Sequence, residues 1–458
     1  MGKVKYNEYK PSKTLWQDEI PGHWDEAELR LLFTENKTKN IGLIENNLLS
    51  LSYGKLKRKN INTATGLVPA SFEGYQIVNE GYIVLRFTDL QNDKKSLRVA
   101  YATERGIITN AYVGVKPRPC IFSKYYYYLL HFLDKIKYYY NLGAGVRQSL
   151  SYGEFCREIV LIPPRTEQIA IARFLDYKTG LIDRFIRKKK QLIKLLNEQK
   201  AAIINHAVTK GINPNAAMKD SGIEWLGEIP SHWDVKKLKY SVRLNQHEQF
   251  DDEISSNNKI ALENIESKTG RILSTDSNPF LGIGTIFKPG DVLFGKLRPY
   301  LAKVVSPQLE GSCVNEILVL TPDSSVWRSD FLKYRLLASD VISVVNNSTY
   351  GAKMPRANWD FIGTLKISRP SLSEQDEIVT MIEHQNRTTD VAITGIEKEI
   401  TLAEEYRTTL IAEAVTGKID VREYKIPETV NEEIYEDIEE ELSIAAEDEA
   451  EYETQEKE

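Results

Sequence analysis

Two stretches, residues 166–209 and 373–416, contain no proline and return apolar residues at alternating steps of three and four. In the first, Ile182, Ile186, Ile193, Leu196, Ile203 and Ala207 fall on heptad a and d positions; in the second, Ile393, Ile396, Ile400, Ala403, Leu410 and Ala414 do. That narrow stripe is the seam of a coiled coil, not the surface of a helix buried all round. Each stretch opens on a residue suited to cap a helix, Thr166 or Ser373, followed by Glu-Gln. The pattern predicts two helices of about 44 residues, roughly 65 Å long at ~1.5 Å per residue. Lys200 and Arg407 interrupt the seams 207 residues apart, and Lys189 interrupts the first alone. A charged seam position weakens a coiled coil but fixes its register. Lys200 and Arg407 either set that register or meet acidic groups of a partner.

Elsewhere the period changes. Residues 40–162 and 240–369 show short β-branched and aromatic runs, such as Tyr82-Ile83-Val84-Leu85-Arg86-Phe87 and Val314-Asn315-Glu316-Ile317-Leu318-Val319-Leu320, between Gly, Pro and Asn turns. Each predicts a mixed domain with a substantial sheet. Tyr125 to Tyr128 and Tyr138 to Tyr140 read as tyrosines of an amphipathic helix packed on its sheet.

The chain is written twice. Ile20-Pro21-Gly22-His23-Trp24-Asp25 returns 209 residues later as Ile229-Pro230-Ser231-His232-Trp233-Asp234, and each is preceded by a second tryptophan, Trp16 or Trp225. Pro163 to Gln168 returns after 207 residues as Pro370 to Gln375, and Ala207-Val208-Thr209 as Ala414-Val415-Thr416. The middles between these matched ends diverge. A repeat of about 200 residues is a duplicated domain, far longer than a solenoid unit.

The fold class expected is α+β: two mixed α/β domains separated by two long antiparallel coiled-coil helices, related by a pseudo-two-fold internal duplication. Along the chain the parts are 1–162, the first sheet domain; 163–212, the first helix; 213–369, a linker and the second sheet domain; 370–422, the second helix; and 423–458, an acidic disordered tail.

Charge sharpens the picture. The net charge is −5, but residues 423–458 hold 16 acidic and 2 basic side chains, leaving +9 on residues 1–422. A basic body suits a polyanionic partner. The cations cluster in the sheet domains. In the first they are Lys55, Lys57, Arg58, Lys59, Arg86, Lys94, Arg98 and Arg105, with Arg147 and Gln148 in a Gly-rich loop. In the second they are Lys296, Arg298 and Lys303 beside Tyr300, with Lys353 and Arg356 in a loop matching Gly143 to Gln148. Such residues neutralise phosphates and can read base edges, so both sets are candidate DNA contacts. Catalysis is not expected. The run Asn278 to Gly284 contains F-x-G-x-G, like the methyl-donor turn of DNA methyltransferases. The Asn-Pro-Phe that would bind the amino group overlaps it at Phe280, which cannot serve two pockets. There is no P-loop and no zinc spacing among three scattered cysteines and six histidines. With no apolar run of membrane length and no secretory leader, a cytoplasmic protein is expected.

From about Trp16 to Ile419 the arrangement resembles the specificity (S) subunits of type I restriction-modification systems. The resemblance rests on Ile-Pro-x-His-Trp, on Gly290-Asp291-Val292-Leu293-Phe294-Gly295-Lys296-Leu297-Arg298-Pro299-Tyr300, on Pro-x-x-x-Glu-Gln entering a long helix, and on the closing Ala-Val-Thr. The first half lacks the Lys-x-Arg-Pro-Tyr portion after Gly81, so a role for Lys296, Arg298 and Tyr300 has no counterpart there. The resemblance implies that each sheet domain is a target recognition domain for half of a split site in double-stranded DNA. It further implies that the helices space the domains and dock two modification (methyltransferase) subunits, with restriction (translocase and nuclease) subunits completing the complex. S-adenosylmethionine, ATP and Mg2+ then belong to the partners, and this chain binds no cofactor or metal. Two alternatives use the same residues: a reader acting without a restriction subunit, and a coiled-coil adaptor that binds no DNA.

Overall fold

The computed structural model describes residues 4–61, 71–88, 90, 97–142, 149–246, 248–249, 258–273, 284–349 and 354–427. Both seams became single helices, Arg165–Lys210 and Leu372–Val415. Each begins one residue earlier than the expected caps. Ser371, not Ser373, accepts from the Glu374 N–H at 3.3 Å, and in the first helix Gln168 N–H reaches back to the Pro164 carbonyl. The reason is local: the Pro164 carbonyl takes the Glu167 and Gln168 N–H groups, and Ser371 takes those of Glu374 and Gln375 through its side chain and carbonyl.

The chain forms two compact units that do not follow its linear halves. The first combines the residues up to 188 with those from 398; the second is residues 189–397. Each therefore holds one sheet domain, the start of its own long helix and the end of the other.

In the first unit a four-stranded antiparallel sheet runs in the order Phe33–Glu35, Val113–Pro117, Ile83–Leu85, Val99–Tyr101. A second runs in the order Lys55–Lys59, Leu48–Ser52, Gly106–Ile108, Gln76–Val78, with one parallel pairing between Leu48 and Ile107. The helix Ser123–Lys135 carries Tyr125 to Tyr128, of which Tyr125 and Tyr126 are fully buried in the core, whereas Tyr138 to Tyr140 fall in a separate 3-10 turn, Tyr138–Asn141, set off by Lys137 at φ +62. Leu410, Ile411, Ala414 and Val415 enter the same core, and the Tyr125 hydroxyl donates to the Val415 carbonyl at 2.9 Å. Gly417 ends that helix at φ +74, where a Cβ would lie 2.5 Å from Pro21.

The second unit repeats this plan. Its antiparallel sheet runs Val242–Asn245, Ile317–Pro322, Val292–Gly295, Val304–Val305, and its other sheet runs Glu248–Gln249, Gly284–Phe287, Gly311–Cys313, Lys259–Ile260. Here Ile204, Ala207 and Val208 join the core around Trp233. So each Ala-Val-Thr closes the unit opposite to the half in which it is written. Of the run Asn278 to Gly284, only Gly284 lies among the described residues, as the first residue of a strand. The acidic residues from 428 onward also lie outside them. Tyr424, placed in the expected tail, packs edge-on against Phe174 at 4.8 Å, so the packed chain extends past 422.

The repeated motifs pin each helix to its sheet domain. In the first unit Glu167 accepts from the buried Trp24 indole N–H at 2.9 Å and meets His23 Nε2 at 2.7 Å. In the second, Glu374 accepts from the Trp233 indole at 3.0 Å and meets His232 Nε2 at 2.8 Å. The adjacent glutamines act alike. Gln168 donates to the Pro163 carbonyl and accepts from Phe122 N–H; Gln375 donates to the Pro370 carbonyl and accepts from Arg328 N–H. Trp16 and Trp225 pack at the margins of the two cores.

Within each unit the long helices run antiparallel. In the first, Arg407 pairs with Asp183, while Leu410 to Val415 share a core with Ile171 to Leu175. In the second, Lys200 pairs with Asp390 at 2.9 Å, while Ile204 to Val208 share a core with Ile378 and Ile382. Asp183 and Asp390 lie 207 residues apart, as Lys200 and Arg407 do. The same ion pair is thus made twice with donor and acceptor exchanged between helices. Ile186, Ile396 and Leu410 are buried, and Ile182, Ile193, Leu196, Ile203, Ile393 and Ile400 are half-buried, as seam positions should be.

Candidate nucleic-acid interface

In the second unit, two loops expected to carry contacts are joined by backbone. Leu297 bridges Arg356, Arg298 N–H donates to the Pro355 carbonyl at 2.8 Å, and Ala357 N–H donates to the Lys296 carbonyl at 2.9 Å. Lys296 N–H in turn donates to the Glu316 carbonyl, and Glu316 faces the Arg356 guanidinium at 3.6 Å. Arg298 at φ +48 and Ala302 at φ +47 flank the single turn Pro299–Leu301. Two non-glycine residues at positive φ within five positions are strained, and such strain persists only where the surroundings hold it. The result is one fixed platform bearing Lys296, Arg298, Tyr300 and Arg356. Lys353 lies outside the described residues.

Lys303 does not join it. Its ammonium donates inward to the Leu262 carbonyl at 2.7 Å, and burial lowers its pKa despite the neighbouring Glu263. Arg98 is a larger correction. It is fully buried, with its guanidinium donating to the carbonyls of Thr88 at 2.8 Å and Arg86 at 3.3 Å and to the Tyr140 hydroxyl at 3.2 Å. Its backbone N–H donates to Asp134, a buried carboxyl whose pKa burial raises. Arg98 gathers carbonyls that would otherwise be orphaned inside the domain; it is not on a DNA face.

Of the other described first-unit candidates, Lys55, Arg58, Lys59 and Arg105 are exposed, and Lys57 and Arg86 are half-buried. Arg58 forks onto Glu104 with Nε at 2.9 and 3.0 Å from its two oxygens, and this pairing, opposed by partial burial, leaves the Glu104 pKa lowered. Arg105 pairs with Glu45 at 3.0 Å. Arg86 donates its backbone N–H to the Arg98 carbonyl. Lys55, Lys57 and Lys59 lie on the strand Lys55–Lys59. Lys94, Arg147 and Gln148 lie outside the described residues.

Three features escaped the sequence reading. Tyr53 sits 78% exposed at the tip of the hairpin joining Leu48–Ser52 to Lys55–Lys59. Ile41, Leu43 and Ile44 are exposed on a loop closed by the fully buried Asn40, which exchanges two hydrogen bonds with the Glu45 backbone. Arg271 reaches from a sheet-domain turn to Asp390 on the long helix. Signals existed for the first and third: Tyr-Gly between two alternating runs is a turn, and the 207-residue offset leads from Asp183 to Asp390.

Among the described residues no helix is long and apolar enough to cross a membrane, and no three His, Cys, Asp or Glu side chains are grouped to hold a metal ion.

The architecture is thus that of two mixed α/β domains joined by long paired helices, and comparison with known proteins bears out the resemblance to type I specificity subunits. The chain is 21% identical over 278 residues to the type I restriction enzyme EcoDI specificity subunit of Escherichia coli, covering 57% of this chain and 62% of that subunit. It is 22% identical over 360 residues to the MjaVIII specificity subunit of Methanocaldococcus jannaschii, covering 76% of this chain and 81% of that one. No family model matches. Among solved structures, a chain from a study of complex assembly and conformational transition of the type I R-M system shares the fold. Its TM-score is 0.60 at 13% identity, over 87% of this chain and 99% of that chain.

Proposed function

We propose that this chain is the DNA sequence-specificity subunit of a type I restriction-modification complex, non-catalytic by itself. Each sheet domain reads one half of a bipartite site in double-stranded DNA, and the paired helices dock two modification subunits. Restriction subunits join that assembly; S-adenosylmethionine, ATP and Mg2+ bind in the partners. The observation that carries this reading is one frame made twice with different loops on it. The Glu-to-His-Trp pins and the exchanged seam pairs match in both units, while the cation-bearing loops do not. Two unlike loop sets on one repeated scaffold are what reading an asymmetric split site requires.

The test is adenine-methylation mapping by long-read sequencing in a host supplying the matching modification subunit, with and without this chain. A split motif that appears only with the chain is expected and would reveal both half-sites. Assembly without chain-dependent methylation would overturn the reading, and failure to bind DNA in any assembly would favour an adaptor.

A further inference from the structure

The first unit carries a hairpin with three lysines, where the described residues of the second show a differently built turn bridged from Ile265 to Ile272. Leu48–Ser52 and Lys55–Lys59 form an antiparallel hairpin closed by Tyr53 and Gly54 alone. Both have positive φ, +46 and +80, as a type I′ turn requires. A Cβ on Gly54 would come within 3.2 Å of Leu97, so the tip is seated on the domain.

Alternation along the hairpin divides its faces. Leu49, Leu51 and Leu56 pack inward with Val84, Ala100 and Ile108, and Arg58, on the same side as Leu56, is held by Glu104. The opposite face bears Lys55, Lys57 and Lys59, directly across from Ser52, Ser50 and Leu48. Among the described residues none of these three ammoniums has an ion pair or side-chain hydrogen bond. Successive same-face residues stand about 6.8 Å apart, so the three charges repel one another without relief. Lysine on an edge strand often serves only to block pairing with another chain. One or two charges do that, whereas this ribbon sets three on one face behind an exposed aromatic tip.

We infer that this hairpin lies as a two-stranded ribbon against duplex DNA, with Lys55, Lys57 and Lys59 on the phosphates and Tyr53 adding a non-ionic contact at the tip. The inference rests on the proposed DNA-reading function. A two-stranded ribbon fits the major groove, and uncompensated cations on one face match a phosphate row. The corresponding strand of the second unit, Lys259–Ile260, leads instead into a turn whose Arg271 is spent on Asp390. Among the described residues this three-lysine face is found in the first unit alone.

The experiment is a salt titration of duplex binding by the full chain assembled with its modification subunits, using a labelled duplex of mixed sequence. Replacing Lys55, Lys57 and Lys59 with glutamine should flatten the slope of log K against log salt by about 2.7, ~0.9 per phosphate contact. Replacing them with arginine should preserve the slope. Tyr53→Ala should weaken binding without changing the slope. An unchanged thermal melt confirms that the glutamine variant folds. A wild-type slope in that variant overturns the proposal. So does a slope difference that vanishes when residues 428–458 are removed, because the lysines would then face the acidic chain end. Wild-type chain that shows no salt-dependent binding would instead defeat the DNA-reading function itself.

Discussion

The two units solve one problem with unequal means. In the first, Arg407 and Asp183 are each about one-third exposed (31% and 35%), and the pair stands at the edge of the seam. In the second, Lys200 is only 8% exposed and Asp390 serves two cations, Lys200 and Arg271. The pins differ in the opposite sense. Glu167 is 7% exposed and takes a third donor, the Tyr6 hydroxyl at 3.1 Å, whereas Glu374 is 21% exposed and receives only Trp233 and His232 among the described residues. The duplication fixed which residues meet; divergence decided how far each meeting is shielded from water. Shielding sets the energy, because a pair screened by solvent contributes little and a desolvated one is costly to break.

The largest contrast is expected at the pins. Glu167→Ala leaves the Trp24 indole and the Tyr6 hydroxyl without an acceptor inside a core, at about 1–3 kcal/mol for each buried orphan. It should destabilise the first unit by about 4 kcal/mol, and Glu374→Ala the second by about 2. Urea unfolding followed by tryptophan fluorescence measures both; equal costs would break the comparison. Next come the seam acids. Asp390→Ala leaves a desolvated lysine beside an arginine and should cost about 3 kcal/mol, while Asp183→Ala should cost about 1. Arg271→Ala, which frees the sheet-domain turn but leaves the Lys200 pair, should cost less than about 1 kcal/mol in the same assay.

Much of this frame was legible before folding. Heptad spacing marked both helices and their seam residues, and the repeated His-Trp and Glu-Gln marked what turned out to be donors and acceptor of one pin. The exchange of helix ends between units was hidden, because Ala-Val-Thr reads identically whichever domain it closes. Arg98 and Lys303 were misread for a common reason: a cation in a turn-rich run looks the same whether it faces solvent or a ring of carbonyls. Only the fold shows that Thr88 and Arg86 present their carbonyls to Arg98. The platform of Lys296, Arg298 and Arg356 was visible as two motifs but not as one surface, since the bridge from Leu297 to Arg356 joins residues 59 apart in the chain.

Proton linkage separates the units as well. In the second, burial and then the neighbouring Arg271 lower the Lys200 pKa to about 8 from 10.5, with Glu266 pulling the other way. Between those values the unfolded chain binds more protons than the folded one, so the second unit gains stability as pH rises. Cys313 opposes this above pH 9, because burial pushes its thiol up to about 12 and only the unfolded thiolate forms readily. The first unit is governed by its tyrosines. Burial pushes Tyr127 and Tyr152 up to about 12, and Tyr125, Tyr128 and Tyr139 are raised as well. Their folded-state stabilisation is present below pH 10 and is lost as pH rises above it, when unfolded tyrosines ionise first. From pH 8 to 9 the second unit should therefore gain on the order of 1 kcal/mol, discounted for solvent screening, while the first stays level. Denaturant unfolding at pH 8, 9 and 10 measures it, with Lys200→Met expected to remove most of the gain and Lys303, whose pKa burial also lowers, contributing the remainder. An undiminished gain in Lys200→Met would place its origin outside the seam.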